Sequence, residues 1–314
     1  MSQPDLPTGI TVLERGWLSS NNILLHGTSP DEGAVLVDTG YSTHQEQTLA
    51  LVAEALRPGE TVRLVANTHL HSDHCGGNAA MVERYLCPIL IPPGEFSAIS
   101  TWDQATLSFR ATGQQCTQFS PTGKLNPGGT LLQGGRNWEI HAAPGHDPHS
   151  VILFDPSSRT LISADALWEQ GFGIVFPELD GEDAFAQVGA TLDIIETLAP
   201  QLVIPGHGSP FQDLAAALIS ARGRLEYFQR EPRRHAIHAA KALTVFHSLE
   251  VQKTSMEELM NWLANTPIII SMWRRFFEAE LLSDWTGQLV RELLHAGALR
   301  QNLAASSEIY AAGS

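Results

Sequence analysis

The stretch Thr68-His69-Leu70-His71-Ser72-Asp73-His74-Cys75-Gly76-Gly77 places three histidines and an aspartate within six positions. With 13 histidines in 314 residues, an H-x-H-x-D-H window arises by chance in roughly one chain of this length in a thousand. A divalent transition metal takes neutral imidazole nitrogens and carboxylate oxygens, and it needs a backbone rigid enough to aim them from several directions. The preceding run VRLVANT (62–68) reads as a buried strand that delivers the motif. On the extended chain leaving it, His69 and His71 at i and i+2 point to one side. Asp73 and His74, past a bend, face a second point nearby, so the two ligand pairs predict two metals. Gly76-Gly77 permits tight backbone before a helix at Asn78, whose N-terminal dipole lies close to the site.

Two metals need more than four ligands, and the remainder should be His or Asp placed just after apolar strands. Three residues qualify: His146 after EIHAAPG, Asp165 after TLISA, and His207 after LVIPG. His26, His44, His141, His235, His238, His247 and His295 lack that setting and read as structural or surface residues. No G-x-S-x-G occurs, and GFGIVF at 171–176 lacks the third glycine of a dinucleotide fingerprint, which weakens serine-hydrolase and Rossmann readings.

Along the chain, ITVLERG, NNILLHG and AVLVDTG form three short strands with turn signals between them, the turn Ser19 to Asn22 among these, a β-meander. Helical spacing over 43–56, 78–86, 93–103 and 182–198 alternates with strands at PILIP, 137–143, 151–154, 160–163 and LVIPG. Hairpin strands interleaved with helices predict two sheets with helices outside them. Residues 105–130, rich in Gly, Gln, Thr and Pro, read as a long loop. After Pro210 the pattern turns helical, with an arginine cluster at Arg222, Arg224, Arg230, Arg233 and Arg234 and a last helix closed by Gly297.

The ordered set VLVDTG, THLHSDH, PGH, SADAL and PGHGSP resembles the metallo-β-lactamase-fold hydrolase superfamily across about residues 10–212. The resemblance implies an α+β fold, a four-layer αβ/βα sandwich, with residues 1–212 as the catalytic domain and 213–314 as a helical or winged-helix appendage. It also implies that His69, His71 and His146 hold one metal, that Asp73, His74 and His207 hold the other, and that Asp165 bridges them. Asp38 in VLVDTG corresponds to a carboxylate that supports the metal loop. Zinc is the first expectation for both ions, with iron or manganese as alternatives. In such a site a bridging hydroxide attacks a polarised carbonyl, and Asp73 orients it or relays its proton.

Asp165 rather than Cys at the bridging position, with Asp73 also present, resembles the glyoxalase II-like and lactonase-like branches. That points to a small-molecule ester, thioester or lactone. Two features depart from relatives that commonly read GHTPGS: here Asp147 and His149 stand beside His146, and both are candidates to touch substrate. Trp168, Phe172 and Phe176, with Tyr227 and Phe228, are candidates to line an apolar acyl pocket. The rival readings are a lactamase-like endoribonuclease or phosphodiesterase, suggested by the helical tail, and an iron-dependent oxidoreductase of the same fold.

Charge sharpens the choice of partner. Residues 1–214 hold 8 Lys/Arg against 24 Asp/Glu, whereas 215–314 hold 11 against 10. An acidic body repels a phosphate backbone, so a small molecule is favoured over nucleic acid, with a homodimer left open. The opening MSQPDLPTGI has no basic stretch followed by an apolar one, and no run reaches membrane-spanning length, which predicts a cytoplasmic protein. Cys75, Cys87 and Cys116, without a C-x-x-C, read as reduced thiols.

Overall fold

The computed structural model describes residues 4–302 and 308–312. Two mixed sheets carry the fold. In the first, β1 (Ile10–Leu13), β2 (Asn22–Leu25) and β3 (Ala34–Val37) form the antiparallel meander predicted from their turn signals. They continue into the parallel strands β4 (Val62–Ala66), β5 (Ile89–Ile91) and β6 (Gly123–Lys124). The second sheet runs β11-β10-β9-β8-β7, from β7 (Thr130–Gln133), β8 (Arg136–Ala142), β9 (Val151–Asp155), β10 (Thr160–Ala164) and β11 (Leu202–Pro205). Only β10 and β11 pair in parallel there. β3, β9, β10 and β11 are buried along their whole length, which is why they read as nearly continuous apolar runs. β7 and β8 instead alternate, turning Leu131, Trp138 and Ile140 inward.

Inward-facing Val35, Val37 and Leu64 of the first sheet meet Trp138, Leu153, Ile162 and Ile204 of the second in one core. Helices cover both outer faces. On the first sheet, α1 (Gln45–Ala55), α3 (Asn78–Tyr85) and α4 (Phe96–Thr101) press Val52, Met81 and Ile99 against Leu24, Leu36 and Val65. The one-turn α2 (Ser72–Cys75) lies between α1 and α3 in sequence. On the second sheet, Val188, Leu192 and Ile195 of α7 (Ala184–Leu198) and Leu218 and Leu225 of α8 (Leu214–Arg230) cover Ile152, Leu161 and Val203. The four-layer sandwich is therefore built as predicted, with α8 serving as one of its outer helices although it follows the boundary drawn at 212.

The region read as a long loop contains α5 (Ser108–Thr112) and β6, whose two residues close the sheet edge on β5. Its polar composition hid both, because each is too short to show a period. Between β10 and α7, the short α6 (Phe176–Asp180) contributes Leu179 to a separate C-terminal core. That core is built by α9 (Pro232–Val251), α10 (Met256–Asn265), α11 (Pro267–Phe276) and α12 (Leu282–His295), around Leu243, Leu259, Met272, Trp285 and Leu289. It also carries a small antiparallel sheet of β12 (Thr254–Ser255), β14 (Glu308–Ala311) and β13 (Leu299–Asn302), so the appendage is helical with strands rather than helical alone. Among the described residues no helix is long and apolar enough to cross a membrane.

Candidate metal centre

β4 ends at Ala66, and the chain runs through His69 and His71 before α2 turns Asp73 and His74 in another direction. The Asn67 amide holds this bend by donating to the His74 carbonyl at 3.1 Å, and Asn78 donates to Asn67 Oδ1 at 2.7 Å. The residues then gather as predicted, in two groups whose potential ligand atoms lie within 4.8 Å of one another: His69, His71 and His146, and Asp73, His74, Asp165 and His207. In the first, His71 Nδ1 lies 2.8 Å from His146 Nε2. In the second, His207 Nε2 lies 3.0 Å from Asp73 Oδ2. Asp165 stands between them, with Oδ2 3.4 Å from His146 Nε2 and Oδ1 3.4 Å from His74 Nε2.

The donor set fits a pair of divalent ions. Nε2 of His69 and of His74 are buried without any hydrogen-bond partner, a state that costs about 1–3 kcal/mol per group unless something else satisfies it. Burial, reinforced by the neighbouring histidines, holds His69 well below the ordinary imidazole range, and burial followed by the His71 charge brings His146 down to about 4. Both are thus neutral, the form that binds a metal. Burial opposes ionisation of Asp165 and Asp73, yet the His74 and His207 rings outweigh it and keep both carboxyls below their usual range. At His74 burial is outweighed in turn by Asp165, Asp38 and Asp73, which raise its affinity for a proton or for a cation in its place.

Hydrogen bonds fix which nitrogen faces inward. His146 Nδ1 lies 2.6 Å from the Ile174 carbonyl, which can only accept, so that nitrogen carries the proton and Nε2 is left free. His74 Nδ1 does the same at 2.8 Å from Asp38 Oδ2. Asp38 also accepts from the Thr68 amide at 2.9 Å and from Thr68 Oγ1 at 2.7 Å, and Thr68 Oγ1 lies 3.1 Å from His69 Nδ1. One carboxylate, on a residue in the left-handed region at φ 57°, therefore sets two rings.

Close packing adds further constraints. A Cβ on Gly206 would overlap Asp165 Oδ1, and one on Gly173 would overlap the His146 ring, so both positions need glycine for approach rather than for φ. Ala164, immediately before Asp165, is held at φ 46°, a local strain that aims the carboxylate. The turn Ser19 to Asn22 is buried, and its Ser20 and Asn21 amides donate to the carbonyls of Asp73 and Gly206 at 2.9 and 2.7 Å. A turn signal in the sequence thus became a brace between the two metal loops.

The remaining candidates divide. Trp168 is at the site, its Nε1 donating to Asp165 Oδ1 at 3.2 Å. Asp147 is buried with Oδ2 4.0 Å from His71 Nε2 and accepts the His149 amide at 2.8 Å. His149 is exposed and its ring lies against Gly94, away from the cavity lining, so adjacency to His146 in sequence misplaced it. Phe172 is also misplaced: it packs into the core beneath α7 and α8 because the chain reverses at Gly171. Phe176 lines the cavity, while Tyr227 and Phe228 do not. Sequence reasoning missed Trp17, which stacks on the His207 ring at 5.4 Å, and Gln114, which accepts from Ser72 Oγ at 2.8 Å. It also missed α9, one wall of the cavity of about 310 Å³ that opens over the clusters.

Residues 15–207 match the Metallo-beta-lactamase superfamily. The chain belongs to that superfamily. It is 29% identical over 195 residues to the human protein named Metallo-beta-lactamase domain-containing protein 1, covering 59% of this chain and 62% of that one. It is 27% identical over 148 residues to a Hydroxyacylglutathione hydrolase of Hyphomonas neptunium, covering 44% and 50%. The chain thus spans about half to three fifths of the length of these curated relatives. Among solved structures, a Beta-lactamase domain protein from Burkholderia ambifaria matches 99% of this chain and 94% of its own, at 21% identity and a TM-score of 0.59, which shows shared fold through the C-terminal region. TTHA1623, solved in a di-iron-bound form, covers 67% of this chain and 98% of its own at 27% identity and a TM-score of 0.53. Within that superfamily, the chain carries a two-cluster His/Asp site.

Proposed function

We propose that this chain hydrolyses a small-molecule ester, thioester or lactone, using two divalent ions, zinc in the first instance, bound by His69, His71 and His146 and by Asp73, His74 and His207, with Asp165 shared. The observation that carries the reading is Asp165 between two complete ligand groups that open into an apolar-walled cavity. Two ions bound there would acidify a water toward a pKa of about 7 and polarise a substrate carbonyl. Asp73, ionised and 3.0 Å from His207 through one oxygen, has the position and the charge to orient that water and accept its proton. Within the two ligand groups only Asp73 and Asp165 are carboxylates, so the direct ligands would leave two divalent ions under-neutralised, which favours an oxygen that becomes negative. Ile174 and Phe176 give the cavity apolar walls beside the clusters.

The test is a panel of aryl esters, thioesters, lactones and phosphodiesters, turned over by protein whose metal content is measured. Hydrolysis of one carbonyl class at two zinc ions per chain is expected; turnover confined to phosphodiesters would overturn the reading. Because a relative is described in a di-iron-bound form, iron content accompanied by oxygen consumption would instead support redox chemistry.

A further inference from the structure

Seven residues of α9 line the cavity: His238, Lys241, Ala242, Leu243, Val245, Phe246 and Leu249. All but Leu243 recur at i, i+3, i+4, i+7, i+8 and i+11, a single stripe of the helix. Its first two members are polar and its last four apolar. Lys241 is already matched by Glu292 Oε2 at 2.6 Å, and burial, ahead of the Arg224 and Lys241 charges, holds His238 below its ordinary range and neutral. The wall therefore offers no unmatched charge to an anionic ligand. Across from it stand Ile174 and Phe176, and Phe246 is steadied by an edge-on contact with Tyr41 at 5.2 Å. Val245 and Leu249 rest partly on the C-terminal core, yet the stripe also faces an open space that ends at His71, Asp73, His146 and Asp165.

We propose that this space receives the acyl chain of the substrate. The inference rests on the hydrolase reading and narrows it: a straight, medium-length acyl arm lies along Ala242, Val245, Phe246 and Leu249, with its carbonyl at the clusters. The stripe sets the length. From Ala242 to Leu249 the helix rises about 10 Å, the span of roughly eight extended carbons. Each methylene transferred from water improves binding about fourfold.

Two ester series separate acyl from alcohol recognition: p-nitrophenyl esters from acetate to dodecanoate, and acetate esters of alcohols of the same lengths. In the first, kcat/KM should rise about fourfold per methylene up to roughly six to eight carbons and then fall; the second should be nearly flat. Ala242→Phe, which fills part of the stripe, should shift the optimum to shorter acyl chains, and Leu249→Ala, which widens it, to longer ones. Acetate hydrolysis with a flat acyl series, or a length dependence confined to the alcohol series, would overturn the proposal. A second readout needs no turnover. Linear primary alcohols from butanol to decanol, uncharged and titrated into metal-free protein with tryptophan fluorescence as the signal, should bind more tightly with length up to the same limit, and Ala242→Phe should shorten that limit. If no carbonyl ester is hydrolysed, the hydrolase reading fails, while this titration still decides whether the wall takes an acyl chain; no dependence on length would refute it.

Discussion

At the scale of single residues, the centre depends on groups that bind no metal. Asp38 orients His74 directly and His69 through Thr68. Asp38→Asn removes a charge-assisted acceptor and leaves an amide that can present its NH₂ to His74 Nδ1. Losing such a support typically costs 10–100-fold in metal affinity, and chelator competition should show that loss with the circular-dichroism spectrum intact. Unchanged affinity would mean that the ligand backbone alone sets the rings. Gly206 makes a different demand. In Gly206→Ala the new methyl must displace the Asp165 carboxylate, which the bound ions share in the proposed arrangement. Metal content per chain should fall below that of the parent protein under the same loading, while folding persists because the residue's φ is not in the left-handed region. Full loading of this variant would show that Asp165 can shift without consequence.

At the scale of elements, what was legible depended on whether a signal was local. The metal ligands could be read because each follows a strand whose apolar run is short and continuous, and a strand end fixes direction within a residue or two. The α9 wall of the cavity could not, since a stripe such as Ala242, Val245 and Leu249 looks the same in sequence whether a helix faces a core or a cavity. Gln114 was hidden for another reason: its support comes from a segment too polar and too short in its elements to show a period. The docking of α9 makes a prediction of its own. His235 sits between the rings of Phe185 on α7 and Phe228 on α8, at 5.1 and 4.8 Å, with its Nε2 buried and without a partner. Burial first, and then the neighbouring His238 ring, lowers its pKa to about 3. The folded pKa lies below the unfolded one, so the unfolded chain takes up a proton first, and stability is lost as pH falls from about 6.5 toward 3. His235→Phe removes this sensitivity. Its stability relative to the parent protein, from melting of metal-free samples, should improve by up to about 1.4 kcal/mol for each pH unit below 6.5. A difference that does not change between pH 7.5 and 5 would show that His235 is hydrated when protonated.

For the whole molecule, the two halves carry very different charge, and that difference bears on the reading as a nuclease. The arginines that cluster after Pro210 could have formed a basic track for a phosphate backbone. Instead most of them are matched within the protein. Arg222 reaches Asp193 and Glu196 of α7 at 2.7 and 2.8 Å, Arg230 pairs with Glu226, and Arg233 meets Glu280 at 3.6 Å while lying over the Phe277 ring. Arg224 is half-buried against Gly171. The sandwich that these helices cover holds three acids for every base, 24 against 8 through residue 214, so its field opposes approach of a polyanion at separations beyond a hydrogen bond. A protein that neutralises six phosphates of a single strand shows a slope of about −4 in a plot of log affinity against log salt. This chain should bind single-stranded RNA weakly, with a slope near zero, when anisotropy is measured between 50 and 200 mM salt. A slope steeper than about −3 would mean that the arginine pairs open to accept phosphate, and would move the two-cluster centre from carbonyl to phosphodiester chemistry.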